Sequence, residues 1–117
     1  MLKWLKKLRD NYVIRHADTI TLPAFTPGST VRKKIVFIGR VQKVGFRLEI
    51  SCLAERLDLT GWVKNRADGS VETELQGELS KIEFLIQAME SLKRAAVREK
   101  QVEDLPVVEE EQGFSIL

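Results

Sequence analysis

From Arg32 onward the hydrophobic period of the chain switches repeatedly between two residues and 3.6, and few folds accommodate that succession. Lys33–Gly39 (KKIVFIG) is β-branched and aromatic and is bounded by Gly39, which predicts a buried strand. Phe46, Ile50, Leu53, Ala54 and Leu57 then fall at i, i+4, i+7, i+8 and i+11, a helix with one apolar face. Thr60–Asn65 and Ser70–Leu75 have strand character and flank Arg66-Ala67-Asp68-Gly69, whose Asp-Gly pair predicts a hairpin turn. Ser80 and Glu83 have the spacing of a capping box. They open a second helix with the stripe Ile82, Leu85, Ile86, Met89 and Leu92. Ala96–Glu103 reads as a fourth strand and Gly113–Leu117 as a short fifth piece at an edge.

The resulting order, β-α-β-β-α-β, is the split βαβ or ferredoxin-like arrangement of an α+β sandwich: an antiparallel sheet with two helices on one face. It predicts a domain over residues 32–117 and an N-terminal extension over 1–31. In that extension Leu2, Leu5, Leu8 and Tyr12 lie near helical spacing among lysines, a short basic amphipathic helix at best over residues 1–16. Pro23, Pro27, Gly28 and Ser29 mark residues 17–31 as a linker, with a short extended piece at Thr19–Leu22.

The net charge of +2 hides an asymmetry, because nine Lys/Arg and only Asp10 and Asp18 fall within residues 1–40. The partner of this basic arm is left open. No run reaches the roughly 18 apolar residues of a membrane span, and the basic start lacks the apolar core of a secretory signal. Cys52 is the one cysteine, which excludes an internal disulfide and a thiolate metal cluster and suits a cytoplasmic location. Its simplest reading is a free thiol. Met89 belongs to the core stripe, and Glu109–Glu111 reads as a solvated turn.

The junction Gly39-Arg40-Val41-Gln42-Lys43-Val44-Gly45-Phe46-Arg47 carries the chemistry. A loop entering a helix presents unpaired N–H groups and the positive end of the helix dipole, a place that binds anions. Glycine lets backbone approach a ligand, and an arginine in the first helical turn adds a planar fork for phosphate. Gln42, Lys43, Val44, Gly45 and Phe46 are the candidate phosphate-binding loop. The plainer alternative is a simple chain turn with Arg47 solvated. Asn65, beside a Gly-containing hairpin, is either a turn residue or a side chain that accepts a hydrogen bond from a water.

Together the two segments resemble the acylphosphatase family. Gly39 to Arg47 reproduces its first signature, with lysine at 43 where the family usually has glycine. Gly61, Trp62, Val63, Lys64, Asn65, Gly69, Val71 and Gly77 match its second. The resemblance implies an enzyme that hydrolyses the carboxyl–phosphate bond of small-molecule acyl phosphates to carboxylate and inorganic phosphate. It implies that Arg47 and the loop amides bind the phosphoryl group and that Asn65 orients the attacking water. No metal, no other cofactor and no covalent intermediate is implied. The alternative is a non-catalytic phosphate-binding module of the same fold, disabled by Lys43. An RNA-recognition module would need aromatic residues on its central strands, and Ser70–Leu75 has none, so no nucleic acid is expected.

Overall fold

A computed structural model describes residues 2–117. The elements in order are α1 (Lys3–Thr19), β1 (Thr30–Arg40), α2 (Phe46–Arg56), β2 (Thr60–Asn65), β3 (Val71–Glu78), α3 (Leu79–Glu90), β4 (Ala96–Leu105) and β5 (Phe114–Ile116). The strands form one sheet in the order β4-β1-β3-β2-β5. β1 pairs antiparallel with both β3 and β4, and β2 pairs antiparallel with β3. The ferredoxin-like order is as the periodicity predicts. β5 departs from an all-antiparallel sheet, since it runs parallel to β2 at the edge.

Alternation along the strands aims Ile35 and Phe37 of β1, Val63 of β2, and Val71 and Leu75 of β3 at one face. There they meet Phe46, Ile50 and Leu53 of α2 and Ile82, Leu85 and Met89 of α3, all fully buried or nearly so. Phe37 and Phe46 pack edge to face, with centroids 5.1 Å apart, which ties the first turn of α2 to the central strand. On the opposite face the buried Arg32 donates to Glu74 at 2.8 Å, to Gln76 at 3.1 Å and to Glu111 at 2.8 and 3.2 Å. Glu111 is therefore a structural partner and not a solvated turn residue. Burial alone would raise its carboxyl, but hydrogen bonds from Arg32 and Thr60 outweigh that and hold it below the ordinary range.

Two local expectations are corrected. The Ser80–Glu83 capping box does not form, because β3 runs directly into α3 and the cap position falls to Glu78, which makes no side-chain capping bond. Ser80 is already helical, and its hydroxyl donates to the Thr26 carbonyl at 3.0 Å. In the N-terminal extension the helix continues to Thr19, and no strand forms at Thr19–Leu22. The segment after it is strapped down instead, with Ile20, Leu22 and Phe25 packed against the core.

α1 lies against α2. It starts poorly: it has no side-chain N-cap and no acidic residue in its first turn, and Lys3 and Lys6 sit where the dipole disfavours cations. Its C-terminal half compensates. Val13 and Ala17 are fully buried, and Arg56 of α2 donates to the Ala17 and Ile20 carbonyls at 2.6 and 2.7 Å, satisfying acceptors that a helix end leaves open.

Candidate active site

Arg47 is the second residue of α2, and five residues turn the chain from β1 into that helix. Two of them hold left-handed backbone, Lys43 at φ 63° and Gly45 at φ 77°, ψ 19°. Glycine adopts that conformation freely, whereas lysine does so at a cost of about 1–2 kcal/mol. Left-handed residues in such a loop curl successive backbone N–H groups toward a common concavity, the geometry of an anion-binding nest. Gly45 is also sterically required, because a Cβ there would lie 2.5 Å from the Val13 side chain of α1.

Asn65 ends β2. A cavity of about 540 Å³ is lined by Lys43, Gly45, Phe46, Arg47 and Asn65 together. Arg47 donates from Nη1 to the Leu117 main-chain oxygen at 3.4 Å. Gln42 and Val44 are not among the residues lining the cavity. Gln42 Nε2 donates to the carbonyls of Arg66 and Ser70 at 2.8 and 2.9 Å, so it fixes the loop against the hairpin that follows Asn65. That bond sets the separation of the two signature segments. In the second segment, Gly61 is needed for another reason: its φ is +136°, and a Cβ there would collide with the Glu74 carbonyl on β3.

A second set of residues supports the loop and is absent from the sequence reading. Arg94, in the turn before β4, donates from Nε to the Val44 carbonyl at 2.6 Å and from Nη2 to Glu49 at 2.6 Å, with a longer bond of 3.4 Å to the Gly45 carbonyl. A trans peptide points its carbonyl and the following N–H in opposite directions, so holding the Val44 carbonyl turns the Gly45 N–H away from Arg94. Glu49 is fully buried, and its other oxygen lies 2.9 Å from His16 Nδ1 on α1. A signal for this cluster does exist in the sequence. Glu49 falls three residues after Phe46 and four before Leu53, on the apolar stripe, where a carboxylate must find partners. Arg94 carries no comparable signal.

α1 also reaches the cavity, which Lys6, Arg9 and Asp10 help to line. Four cationic side chains, Lys6, Arg9, Lys43 and Arg47, thus border it against one carboxylate, Asp10, which accepts from Arg9 at 3.3 Å. No histidine or cysteine lines it among the described residues. Partial burial, then Glu49, Glu55 and Asp18, push the Cys52 thiol up, the opposite of an activated nucleophile. The site is therefore built to receive an anion.

The comparisons agree with this geometry. The family model described as Acylphosphatase matches residues 33–116. The acylphosphatase of Bifidobacterium longum is 42% identical over 81 residues, covering 68% of this chain and 84% of that protein. The acylphosphatase of Clostridium beijerinckii is 40% identical over 87 residues, covering 74% and 97%. The crystal structure of acylphosphatase from Bacillus subtilis superposes with a TM-score of 0.70 at 33% identity, covering 74% of this chain and 98% of that one. α1 lies outside the matched family region.

Proposed function

The chain belongs to the acylphosphatase family and hydrolyses acyl phosphates, and we propose that Arg47, the amides of residues 42–46 and a water held by Asn65 perform that hydrolysis. The observation that carries the assignment is the meeting of Arg47, from the start of α2, and Asn65, from the end of β2, at one cavity. Gln42 and Arg94 hold the loop between them from two sides.

Hydrolysis forms a bond from the water oxygen to phosphorus and breaks the bond from phosphorus to the acyl oxygen. The carboxylate leaves with the bonding electrons and needs no proton, since carboxylic acids ionise near pH 4. The proton released by the water ends on inorganic phosphate. What remains for the protein is to align water, phosphorus and leaving oxygen and to neutralise the equatorial oxygens. Arg47 supplies a two-pronged donor for those oxygens, and the loop amides supply fixed dipoles. The Asn65 side-chain oxygen accepts a hydrogen bond from the water and sets its line of approach.

The reaction is metal-free in this reading, which is supported by the lining: among the described residues Asp10 is the one carboxylate side chain there, and it accepts from Arg9. In this reading Lys43 is tolerated in the loop, which is supported by its left-handed backbone and by a side chain exposed at the cavity edge, next to where the phosphoryl dianion would bind. The domain of residues 32–117 carries the chemistry and residues 1–31 are appended to it. The lone thiol of Cys52 suits the reducing conditions of the cytoplasm, where this reading places the enzyme.

The test is hydrolysis of benzoyl phosphate with a chelator present. Wild-type turnover persists, whereas Asn65→Ala loses about 10²–10³-fold in kcat, the scale of one missing preorganised hydrogen-bonding group, and still binds inorganic phosphate. Near-normal turnover in Asn65→Ala would remove the water-positioning role. Inhibition by the chelator would overturn the metal-free mechanism.

A further inference from the structure

The phosphoryl group of an acyl phosphate is a dianion, and Arg47 with the loop amides already answers it. The cavity offers more positive charge than that. Lys6 and Arg9 of α1 line it as well, and neither belongs to the loop or to α2, the elements assigned to the phosphoryl group. Among the described residues Lys6 makes no ion pair, and Arg9 pairs only with its neighbour Asp10. A cavity of about 540 Å³ is of the size that holds a whole small molecule, about 300–1,000 Å³, so the acyl group lies inside it too.

The placement of these cations is not incidental to the packing. α1 is held at a defined height over the loop by Val13 against Gly45, by His16 on Glu49 and by Arg56 on its last carbonyls. With that half pinned, helical geometry delivers residues one and two turns earlier to the cavity rim. Lys6 also stands in the N-terminal half of a helix, where a cation weakens the helix itself.

We propose, building on the function above, that α1 forms a second anion subsite in which Lys6 and Arg9 bind a negatively charged group on the acyl portion. The preferred substrates are acyl phosphates whose acyl group carries a carboxylate or a second phosphate-like anion. Lys6 and Arg9 act as specificity residues, with no part in breaking the phosphorus–oxygen bond. Asp10 orients the Arg9 guanidinium and moderates the field.

The test compares kcat/KM of the full-length chain for 4-carboxybenzoyl phosphate, 4-phosphonobenzoyl phosphate and benzoyl phosphate. The expected result is a preference of about five- to tenfold for the charged substrates, the scale of two partly solvated ion pairs. It is expressed in KM and shrinks as salt is raised. The more favoured of the two charged substrates identifies the anion. In the double variant Lys6→Gln/Arg9→Gln the ratio of charged to uncharged substrate collapses toward one, while Lys6→Arg/Arg9→Lys retains it. A wild-type ratio near one, or a preference that survives the glutamine variant, would overturn the subsite. Absence of turnover with all three substrates would overturn the proposed function instead, so the two failures are distinguishable.

Discussion

Helices α1 and α2 both reach the cavity, but they are held there by different means. α2 buries Phe46, Glu49, Ile50, Leu53 and Ala54 within 11 residues, whereas α1 buries only Val13 and Ala17 within 17. α2 opens on a left-handed glycine, carries an acid in its first turn and an arginine in its last, and plugs the sheet with Phe46. α1 has no side-chain N-terminal cap and depends on attachments in its C-terminal half: Tyr12 under the Arg94 guanidinium, Val13 in the notch at Gly45, His16 on Glu49, and Arg56 on its terminal carbonyls. Arg47 therefore stands on an element that cannot move without opening the core. Lys6 and Arg9 stand on one with two buried residues, the kind of element that opens locally at a fraction of the global stability. On the proposed roles, selection and reaction stand on separately held elements.

Three variants bear on that contrast. Arg47→Ala strikes the rigid side and has the largest expected effect: turnover of benzoyl phosphate falls by about 10³-fold or more, as for other phosphoryl clamps, and affinity for inorganic phosphate falls with it. Unchanged phosphate affinity in steady-state inhibition would remove Arg47 from the site.

Glu49→Gln strikes the joint between the two helices. It leaves the partly buried Arg94 guanidinium without its counter-charge, at a cost of about 2–3 kcal/mol in urea unfolding. KM for benzoyl phosphate rises as well, because Arg94 holds the loop carbonyls. A stability loss with KM untouched would show that the loop keeps its shape without this support.

Val13→Ala strikes the movable side and is the mildest. It removes about 1–2 kcal/mol of buried contact, and hydrogen exchange quickens in α1 while β1 and β3 stay protected. Equal deprotection of the central strands would break the comparison, since α1 would then unfold only with the body.

Much of this molecule was legible before any coordinates. Thr60–Asn65 is a strand with the bounds its composition indicates, and Phe46 opens the helix that its apolar stripe describes. Position beside a glycine turn makes Arg47 and Asn65 candidates, and only the family resemblance gives them roles. Ser80 was misleading: its spacing to Glu83 fits a capping box, but a strand that runs unbroken into the helix leaves no position for one. Glu49 was legible as an anomaly, a charge on an apolar stripe, though not as the meeting point of α1 and the loop.

The succession of elements and the face each one buries are written in the sequence, and the two segments that meet at the cavity are marked there by their family resemblance. The first two follow from backbone preferences and side-chain spacing within a dozen residues. Tertiary contact alone sets the parallel pairing of β5 with β2, the clasp of Arg32 by Glu111, the grip of Arg94 on the loop and the lie of Lys6 and Arg9 along the cavity. The partners in these contacts are brought together by chain closure across the fold. A periodic pattern says which face of an element seeks cover, and it carries no information about which distant surface will supply it.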